Sequence, residues 1–475
     1  MKLSRRSFIN SVAASTVSLA TSSKIVKAAQ GSVGLSPGPG NKWPGRVVIN
    51  YNKDAVENVL DPVPSVIQKM VDDCILRLTD QSSIGAAWKE IFPTTLTTES
   101  KIAIKVFCAE PRVPTHWSSI RAITDGLQLM DFEGTKFSAS NIAIYEGNAS
   151  NRFSQADFNT ENFPGIKIEY WSPGNFVDGG DGAFSNRPYA GTLRDADFLI
   201  NVFSPRGHNI GSTFTIGFKN HYGTYELNTG KSGDLHTNAA ENLRDMHCTG
   251  PIFKKNVLSI CSGILGMNES KGPIGQPQSY LNYTKTIDPS STCECPATVI
   301  MSTDPISCEM QTVKMMRLNQ KPAGKYGVSD MPEYLQASAG ITGALNGTTY
   351  NIGVIDEAEM DIRRIIDEVT IVDSPVRSRA AHNDSRITVS GLPGRAGTFI
   401  EYRLPPDRIG QKAAIGIYTS RGTALYQKEL MIPGQISHFG WNNRDRRGNT
   451  VAPGRYVVRL TAGTVTLSTV FSVIR

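Results

Sequence analysis

The sequence predicts an α/β domain, with a mainly parallel sheet and helices on both faces, followed by a small all-β sandwich. Up to about residue 373, apolar strand-like runs alternate with amphipathic helical segments, the pattern of parallel strands joined by crossover helices. Beyond that point the helical period is absent, and short alternating strands are separated by Gly, Pro and Asn turns. A chain of 475 residues is also longer than one ordinary core accommodates, so two or three domains are expected.

The strands and helices of the first domain follow one another in regular order. The clearest helix covers residues 64–80, where Ile67, Met70, Val71 and Cys74 recur at helical spacing on one apolar face. Helices are also predicted at 85–92 and 118–130, strands at 46–51, 101–109, 141–147, 195–204 and 256–266, and a strand, a turn and a helix at 297–317. In such sheets, ligands bind at the carboxyl ends of the strands.

The second domain consists of short strands separated by turns. Strands are predicted at 399–404, 413–419, 424–430, 455–462 and 467–474. The polar stretch 374–388 is interpreted as a linker. The expected organisation is a signal peptide at 1–29, a linker at 30–45, an α/β domain at 46–373, a linker at 374–388 and a β-sandwich at 389–475.

The N-terminal segment resembles a twin-arginine export signal. Arg5 and Arg6 precede a weakly apolar stretch at 11–20, and small residues permit cleavage after Ala28 or Ala29. The alternative is a disordered basic tail. The signal predicts recognition by the twin-arginine export machinery and a location in the periplasm, at the cell surface or outside the cell.

Charge and hydropathy exclude some partners. Residues 1–30 hold five Lys and Arg residues and no acid, so removing them lowers the formal net charge from +6 to +1. The remainder lacks the basic excess that a nucleic-acid partner requires. No apolar run reaches the roughly 20 residues of a spanning helix. No membrane span is therefore expected after signal cleavage.

The seven cysteines give little indication of a cofactor. Their number is odd, and Cys293 and Cys295 are the one closely spaced pair. Their Cys-x-Cys spacing differs from the Cys-x-x-Cys of zinc ribbons, thioredoxins and ferredoxins. A ferredoxin-type iron–sulfur cluster is not expected, and buried or structural cysteines are favoured over a metal cluster.

Polar side chains stand at or just beyond several predicted strand ends. They are Lys105, Glu146, Arg206 and Asp304, and the strand that precedes Arg206 is also followed by His208, Lys219, Asn220 and His221. Arginine offers two parallel donors to a carboxylate or phosphate, so a small anionic ligand is predicted here. Ligand-binding candidates are Lys105, Arg206, His208, Asn220 and Asp304, and catalytic candidates are Lys219 and His221. The alternatives are that the cations pair with nearby acids and that Asp304 caps the following helix.

Four of the seven histidines are concentrated in one region. They are His208, His221, His236 and His247. Neutral imidazoles with a carboxylate such as Asp234 or Asp245 would suit a transition metal, although the spacings match no local ligand motif. The alternative to a metal site is that these histidines are hydrogen-bonded on a long segment at the protein surface.

The first domain resembles the family called domain of unknown function 362. The similarity lies in Leu199-Ile200-Asn201, His208, Lys219-Asn220-His221-Tyr222-Gly223 and Asp304-Pro305, in that order. Arg206 stands where members usually have Lys, and Glu309 where a second Asp is usual. The resemblance implies an α/β fold and a prokaryotic origin. It implies little chemistry, and the ferredoxin-like cysteine motifs of some members are missing.

The C-terminal region resembles the immunoglobulin-like domain of flagellar hook-capping proteins. The matching residues are Trp441, Arg444-Asp445, Gly448, Val451, Gly454 and Tyr456. The resemblance implies an immunoglobulin-like sandwich with a structural or attachment role. Trp441 and Tyr456 are expected in its core, and Asn443 is expected to adopt the positive φ of a tight turn.

Two functional hypotheses follow. One is an exported protein with a ligand or metal site at the carboxyl edge of the sheet, which could be a metal-dependent or redox-linked enzyme. The other is a non-catalytic cell-envelope protein that binds partners through its C-terminal sandwich. The sequence leaves open whether the protein is an enzyme and names no cofactor.

Overall fold

The computed structural model describes most of the chain as two compact units. The described residues are 33–57, 61–109, 113–147, 152–179, 182–207, 214–229, 233–267, 279–366, 369–372, 386–391, 398–404, 408–419, 423–432, 436–446, 448–463 and 465–473. The first unit extends to residue 366, the second begins at residue 386, and the short strand at 369–372 is divided between them. The predicted signal peptide at 1–29, most of the linker at 374–388 and His208 lie outside the described residues.

A mixed, mostly parallel sheet forms the centre of the first unit. Its nine described strands are β1 (Arg46–Tyr51), β4 (Ile102–Lys105), β7 (Ile142–Gly147), β8 (Lys167–Trp171), β9 (Phe198–Phe203), β12 (Asn256–Gly263), β13 (Thr298–Ser302), β14 (Asp361–Ile366) and β15 (Val369–Val372). Their order is β15-β14-β1-β13-β12-β9-β4-β7-β8. Neighbours from β12 to β8 are parallel, as are β1 and β14, but β13 is antiparallel to both β1 and β12. The carboxyl end of β13 therefore lies at the opposite edge from those of its neighbours.

Ten α-helices cover the two faces of this sheet in the described part of the unit. They are α1 (Pro64–Thr79), α2 (Ile84–Glu90), α3 (Trp117–Gln128), α4 (Gly191–Asp195), α5 (Gly217–Asn220), α6 (Ala239–Cys248), α7 (Gly250–Lys255), α8 (Leu281–Ile287), α9 (Pro305–Gln320) and α10 (Glu333–Ser338). Helices α1 to α3 share one hydrophobic core with the sheet, and α4 to α10 share the other. The prediction of helices on both faces is confirmed.

Short elements connect these layers. Three two-stranded ribbons pair β2 (Val56–Glu57) with β3 (Asp61–Pro62), β5 (Asp131–Phe132) with β6 (Thr135–Lys136), and β10 (Asn228–Thr229) with β11 (Gly233–Asp234). Short 3-10 helices occupy Lys53–Ala55, Ala139–Asn141, Ser154–Ala156, Gly182–Phe184, His221–Gly223, Val328–Asp330 and Glu357–Glu359.

Helix α1 shows how the apolar period determines packing. Ile67, Met70, Val71 and Cys74 are at most 1% exposed and face the core that α1 shares with the sheet. Pro64 occupies the first turn, where its missing N–H costs no hydrogen bond. The predicted helix and its buried face are confirmed.

The second unit is all-β. Its strands are β16 (Arg386–Gly391), β17 (Thr398–Arg403), β18 (Lys412–Thr419), β19 (Ala424–Met431), β20 (Ile436–Trp441), β21 (Gly454–Ala462) and β22 (Val465–Val473). One sheet has the order β16-β17-β20 and the other β19-β18-β21-β22, and both contribute to one apolar core. Trp441 lies in this core, with its ring centroid 6.1 Å from that of Tyr456. Asn443 has a φ of 56°, as the turn requires.

Among the described residues, no helix combines the length and apolar character needed to cross a membrane.

Candidate functional site

A buried lysine stands at the carboxyl edge of the parallel strands. Lys105 ends β4, beside Tyr145 of β7 and Asn201 of β9, and is 0% exposed. Its Nζ donates to the Val106 carbonyl (2.6 Å), Glu146 Oε1 (3.0 Å) and Asn220 Oδ1 (3.2 Å). Burial lowers the pKa of Lys105, and the Glu146 charge opposes that shift. Lys105 therefore contacts Asn220, another of the predicted ligand-binding residues.

Glu146 completes this ion pair and was not among the predicted ligand-binding residues. The backbone N–H groups of Cys108 and Gly147 donate to its carboxylate at 3.0 and 2.8 Å. Gly223 lies directly against the pair, because a Cβ at that position would be 1.9 Å from Glu146 Oε1 and 2.9 Å from Lys105 Nζ. Only glycine leaves room for the ion pair here.

Two asparagines attach α5 to the end of β9. Asn220 Nδ2 donates to Asn201 Oδ1 at 2.7 Å and to the Val202 carbonyl at 3.1 Å. Asn201 Nδ2 donates to the Gly217 carbonyl at 2.9 Å. These bonds fix the turn that carries Lys219, Asn220 and His221 over the sheet edge, so Asn220 is mainly a structural bridge between Lys105 and β9.

His221 is fully buried behind this turn. Its Nδ1 is 2.8 Å from Thr224 Oγ1, which is 2.9 Å from the Tyr145 hydroxyl. Its Nε2 has no hydrogen-bond partner among the described residues. Burial, followed by the His247 and Lys105 charges, holds the pKa of His221 well below its usual range. His221 is therefore neutral at pH 7.

Lys219 and Arg206 are two further buried cations in this region. Lys219 is 4% exposed and Arg206 is 6% exposed. Burial and then the Arg206 charge lower the pKa of Lys219 to about 7. The Arg206 guanidinium lies 3.8 Å from the centroid of the Phe107 ring, and Lys219 Nζ lies 5.4 Å from that of Tyr222. The Arg206 charge thus acts on Lys219, and the assignment of both residues to a ligand site stays a prediction.

Glu309 supports α5 from the neighbouring helix, a contact that the sequence did not predict. Its carboxylate accepts from the Phe218 N–H at 3.3 to 3.4 Å and from the Tyr334 hydroxyl at 2.9 Å. Burial raises the pKa of Glu309 to about 8. The available signal was the position of Glu309 in the family resemblance, where a second Asp is usual.

The predicted metal site does not assemble among the described histidines. His247 lies 4.9 Å from His221 between ring centroids, but its Nε2 is bonded to the Phe218 carbonyl at 3.0 Å. His236 pairs with Asp234 in the β10–β11 hairpin. In the described part of the chain, no three His, Cys, Asp or Glu residues are grouped to hold a metal. His208, the fourth candidate, lies outside that part.

Asp304 is at the opposite edge of the sheet, so its expected position beside Lys105 was wrong. The reversed direction of β13 is the cause. Asp304 caps α9, where Oδ1 accepts from the Ile306 and Ser307 N–H groups and Oδ2 from Gly45 and Val354 at 2.8 to 3.0 Å. The alternative interpretation of Asp304 as a helix cap fits this geometry.

A known family model matches the part of the chain that contains these residues. Residues 102–314 match the family model described as Domain of unknown function (DUF362). This match supports the DUF362 resemblance found in the sequence. It includes Lys105, Glu146, Arg206 and Lys219. No curated protein matches the chain.

Solved structures give only partial similarities. PorZ, a surface component of the type-IX secretion system of Porphyromonas gingivalis, is 28% identical over 19% of this chain and 11% of that chain, with a TM-score of 0.15. FlgD from Xanthomonas campestris is 16% identical over 18% of this chain and 65% of that chain, at 0.14. FMN-binding beta-glucuronidase from Facaelibacterium prausnitzii is 10% identical over 92% of this chain and 58% of that chain, at 0.22. This chain spans about a tenth of PorZ, and none of these scores carries an argument about fold or function.

Proposed function

We propose that the first unit binds a small anion at Arg206 and Lys219, beside the carboxyl edge of the sheet. The observation that carries the proposal is the burial of both cations, with Arg206 6% and Lys219 4% exposed. Burial, and then the Arg206 charge, lowers the pKa of Lys219 to about 7. A bound carboxylate or phosphate would offset the repulsion between them and would accept two parallel hydrogen bonds from the arginine.

The same pair supplies a proton-transfer group. A lysine with a pKa near 7 exists in both protonation states at neutral pH, which suits a general acid or base. His221 offers a neutral imidazole one position beyond Asn220 on the same turn. We propose that Lys219 is the acid–base group and that Lys105 and Glu146 hold its turn in place. Whether the bound anion reacts depends on its chemistry.

Calorimetric titration of the full chain with inorganic phosphate and with succinate tests this proposal. Binding should be stronger at pH 6 than at pH 8.5, because Lys219 is protonated below its pKa. Arg206→Gln and Lys219→Met should each weaken binding about tenfold or more. Lys69→Met, which alters an exposed lysine on α1, is the control. Binding that both site variants leave unchanged would refute the assignment.

We further propose that the chain is exported by the twin-arginine route. That machinery carries folded proteins, and Arg5 and Arg6 precede a weakly apolar stretch and a small-residue cleavage site in the order that such a signal requires. Cell fractionation tests this proposal: Arg5→Lys combined with Arg6→Lys should retain the protein in the cytoplasm, whereas Lys2→Arg should not.

A further inference from the structure

Three arginines lie around the C-terminal end of α1, at the sheet edge opposite Lys105. Arg77 lies in the last turn of α1, and Arg46 and Arg363 lie on the adjacent parallel strands β1 and β14. Arg46 Nη1 donates to the Leu78 carbonyl at 2.9 Å, and Arg363 Nη1 donates to the Arg77 carbonyl at 2.6 Å. These two arginines therefore supply donors to helix carbonyls that have no partner within α1.

Two aspartates bind two of these arginines. Asp361 Oδ2 accepts from Arg46 Nε and from Arg363 Nε, each at 3.0 Å. Asp80, which follows α1, accepts from Arg363 Nη1 at 2.6 Å and from Arg46 Nη1 at 3.3 Å. Three arginines and two aspartates leave one positive charge in excess. The excess charge falls on Arg77, because both aspartates are bonded to the other two arginines.

Arg77 has no acceptor for its guanidinium in the described part of the chain. The side chain is partly buried, its Nε is buried without a hydrogen-bond partner, and it forms no ion pair with a described carboxylate. Burial, followed by the Arg363 charge, lowers the pKa of Arg77 from its usual value. Burial of a charge without a counter-ion costs free energy, and an anion beside Arg77 would offset that cost.

We propose that Arg77 binds a small inorganic oxyanion, such as sulfate, where α1 ends beside β1 and β14. The oxyanion would accept hydrogen bonds from the terminal nitrogens of Arg77 and would cancel the excess positive charge of the group. Charged groups surround Arg77, so an inorganic anion suits this position better than a ligand with an apolar body. This site shares no residue with the one proposed at Arg206 and Lys219, and the two lie at opposite edges of the sheet.

Stability in a chloride buffer without oxyanions tests whether Arg77 is unpaired. Arg77→Met replaces the guanidinium by an apolar side chain of similar length, so it should unfold at the same urea concentration as the wild-type chain or at a higher one. Arg363→Met, which deprives two aspartates of a partner, is the comparison and should unfold at a lower concentration. A midpoint for Arg77→Met as low as that for Arg363→Met would show that Arg77 is structural and would overturn the inference.

Equilibrium dialysis of the full chain with radiolabelled sulfate tests binding. The parent protein for this comparison is Lys219→Met, because Lys219 belongs to the other proposed anion site. Lys219→Met should bind sulfate equally at pH 6 and pH 8.5, since arginine remains protonated throughout that range. Adding Arg77→Met should weaken the binding at least tenfold, because charge-assisted hydrogen bonds are lost. Adding Arg194→Met instead, at an exposed arginine on α4, should leave the binding unchanged.

The outcomes separate the two proposed anion sites. Sulfate binding that persists when Arg77→Met is added would overturn this inference, and so would its complete loss in Lys219→Met alone. If Lys219→Met fails to fold, Arg77→Met in the wild-type chain should remove the part of the sulfate binding that is independent of pH. Failure of the site at Arg206 and Lys219 would leave that part intact, because Arg77 lies at the opposite edge of the sheet.

Discussion

Lys105 and Glu146 form an ion pair that is almost completely buried, with 3.0 Å between Nζ and Oε1, where the neighbouring strands β4 and β7 end. Each ion also has backbone partners, so the pair is fully hydrogen-bonded. A pair of this kind contributes modest net stability while intact, but removing one partner leaves an uncompensated charge in the interior. The pair therefore fixes the ends of the two strands beside the turn that carries Lys219.

Breaking this pair should destabilise the first unit strongly. Glu146→Leu should lower the free energy of unfolding by about 3 to 5 kcal/mol, because Lys105 would then be buried without its counter-ion. The double variant Lys105→Met with Glu146→Leu should recover part of that loss. Urea denaturation measures both. A double variant no more stable than Glu146→Leu would show that the pair is not the cause.

Gly223→Ala tests the close approach of the turn to this pair. The added Cβ would meet Glu146 Oε1 at 1.9 Å, so the carboxylate or the turn must move, at a cost of about 1 to 3 kcal/mol. Gly327→Ala is the matched control, because its Cβ would have its nearest contact at 3.9 Å and its φ of −111° suits alanine. Similar unfolding free energies for the two variants would contradict the crowded geometry.

Lys219 should make the stability of the protein depend on pH above neutrality. Its pKa is about 7 in the folded state and about 10.4 in the unfolded chain. Between those values the unfolded state binds the extra proton, so the free energy of unfolding should rise with pH, by on the order of 2 kcal/mol from pH 7 to pH 9. Lys219→Met should lack this component of the rise. Identical pH profiles for the two proteins would contradict the shifted pKa.

Glu309 should make the free energy of unfolding fall as the pH rises, which is opposite to the effect of Lys219. Its pKa is raised to about 8, so between about pH 4.5 and 8 the folded state holds a proton that the unfolded state has lost. This contribution to stability is complete below the unfolded pKa and is lost as the pH rises through 8. Glu309→Gln, which imitates the protonated acid, should show a smaller loss between pH 5 and 8. Glu309→Ala, which leaves the Phe218 N–H without this acceptor, should be less stable than Glu309→Gln at every pH.

Trp441 should dominate the core of the second unit. It is 2% exposed and packs against Tyr456 and Phe471. Trp441→Ala should cost about 3 to 5 kcal/mol, measured by denaturation of the full chain. Val470→Thr, at a strand position that is 52% exposed, should change stability by less than about 0.5 kcal/mol. Comparable losses in the two variants would contradict the core position of Trp441.

The sequence by itself determined the local elements. The spacing of Ile67, Met70, Val71 and Cys74 specified an amphipathic helix, and the apolar run from Phe198 to Phe203 specified a buried strand. Periodicity and side-chain size are local properties, so one chain segment suffices to read them. The turn at Asn443 could also be predicted from its own segment, because few residues adopt a positive φ.

Only the tertiary structure decided which side chains meet. The sequence of β13 is equally compatible with either strand direction. Because β13 pairs antiparallel to β1 and β12, Asp304 lies at the opposite edge of the sheet from Lys105. Four backbone N–H groups donate to its carboxylate there. The partners of Glu146 and Glu309 are likewise distant in sequence. Pairing direction and buried contacts depend on the free energy of the whole packed chain, which no single segment carries.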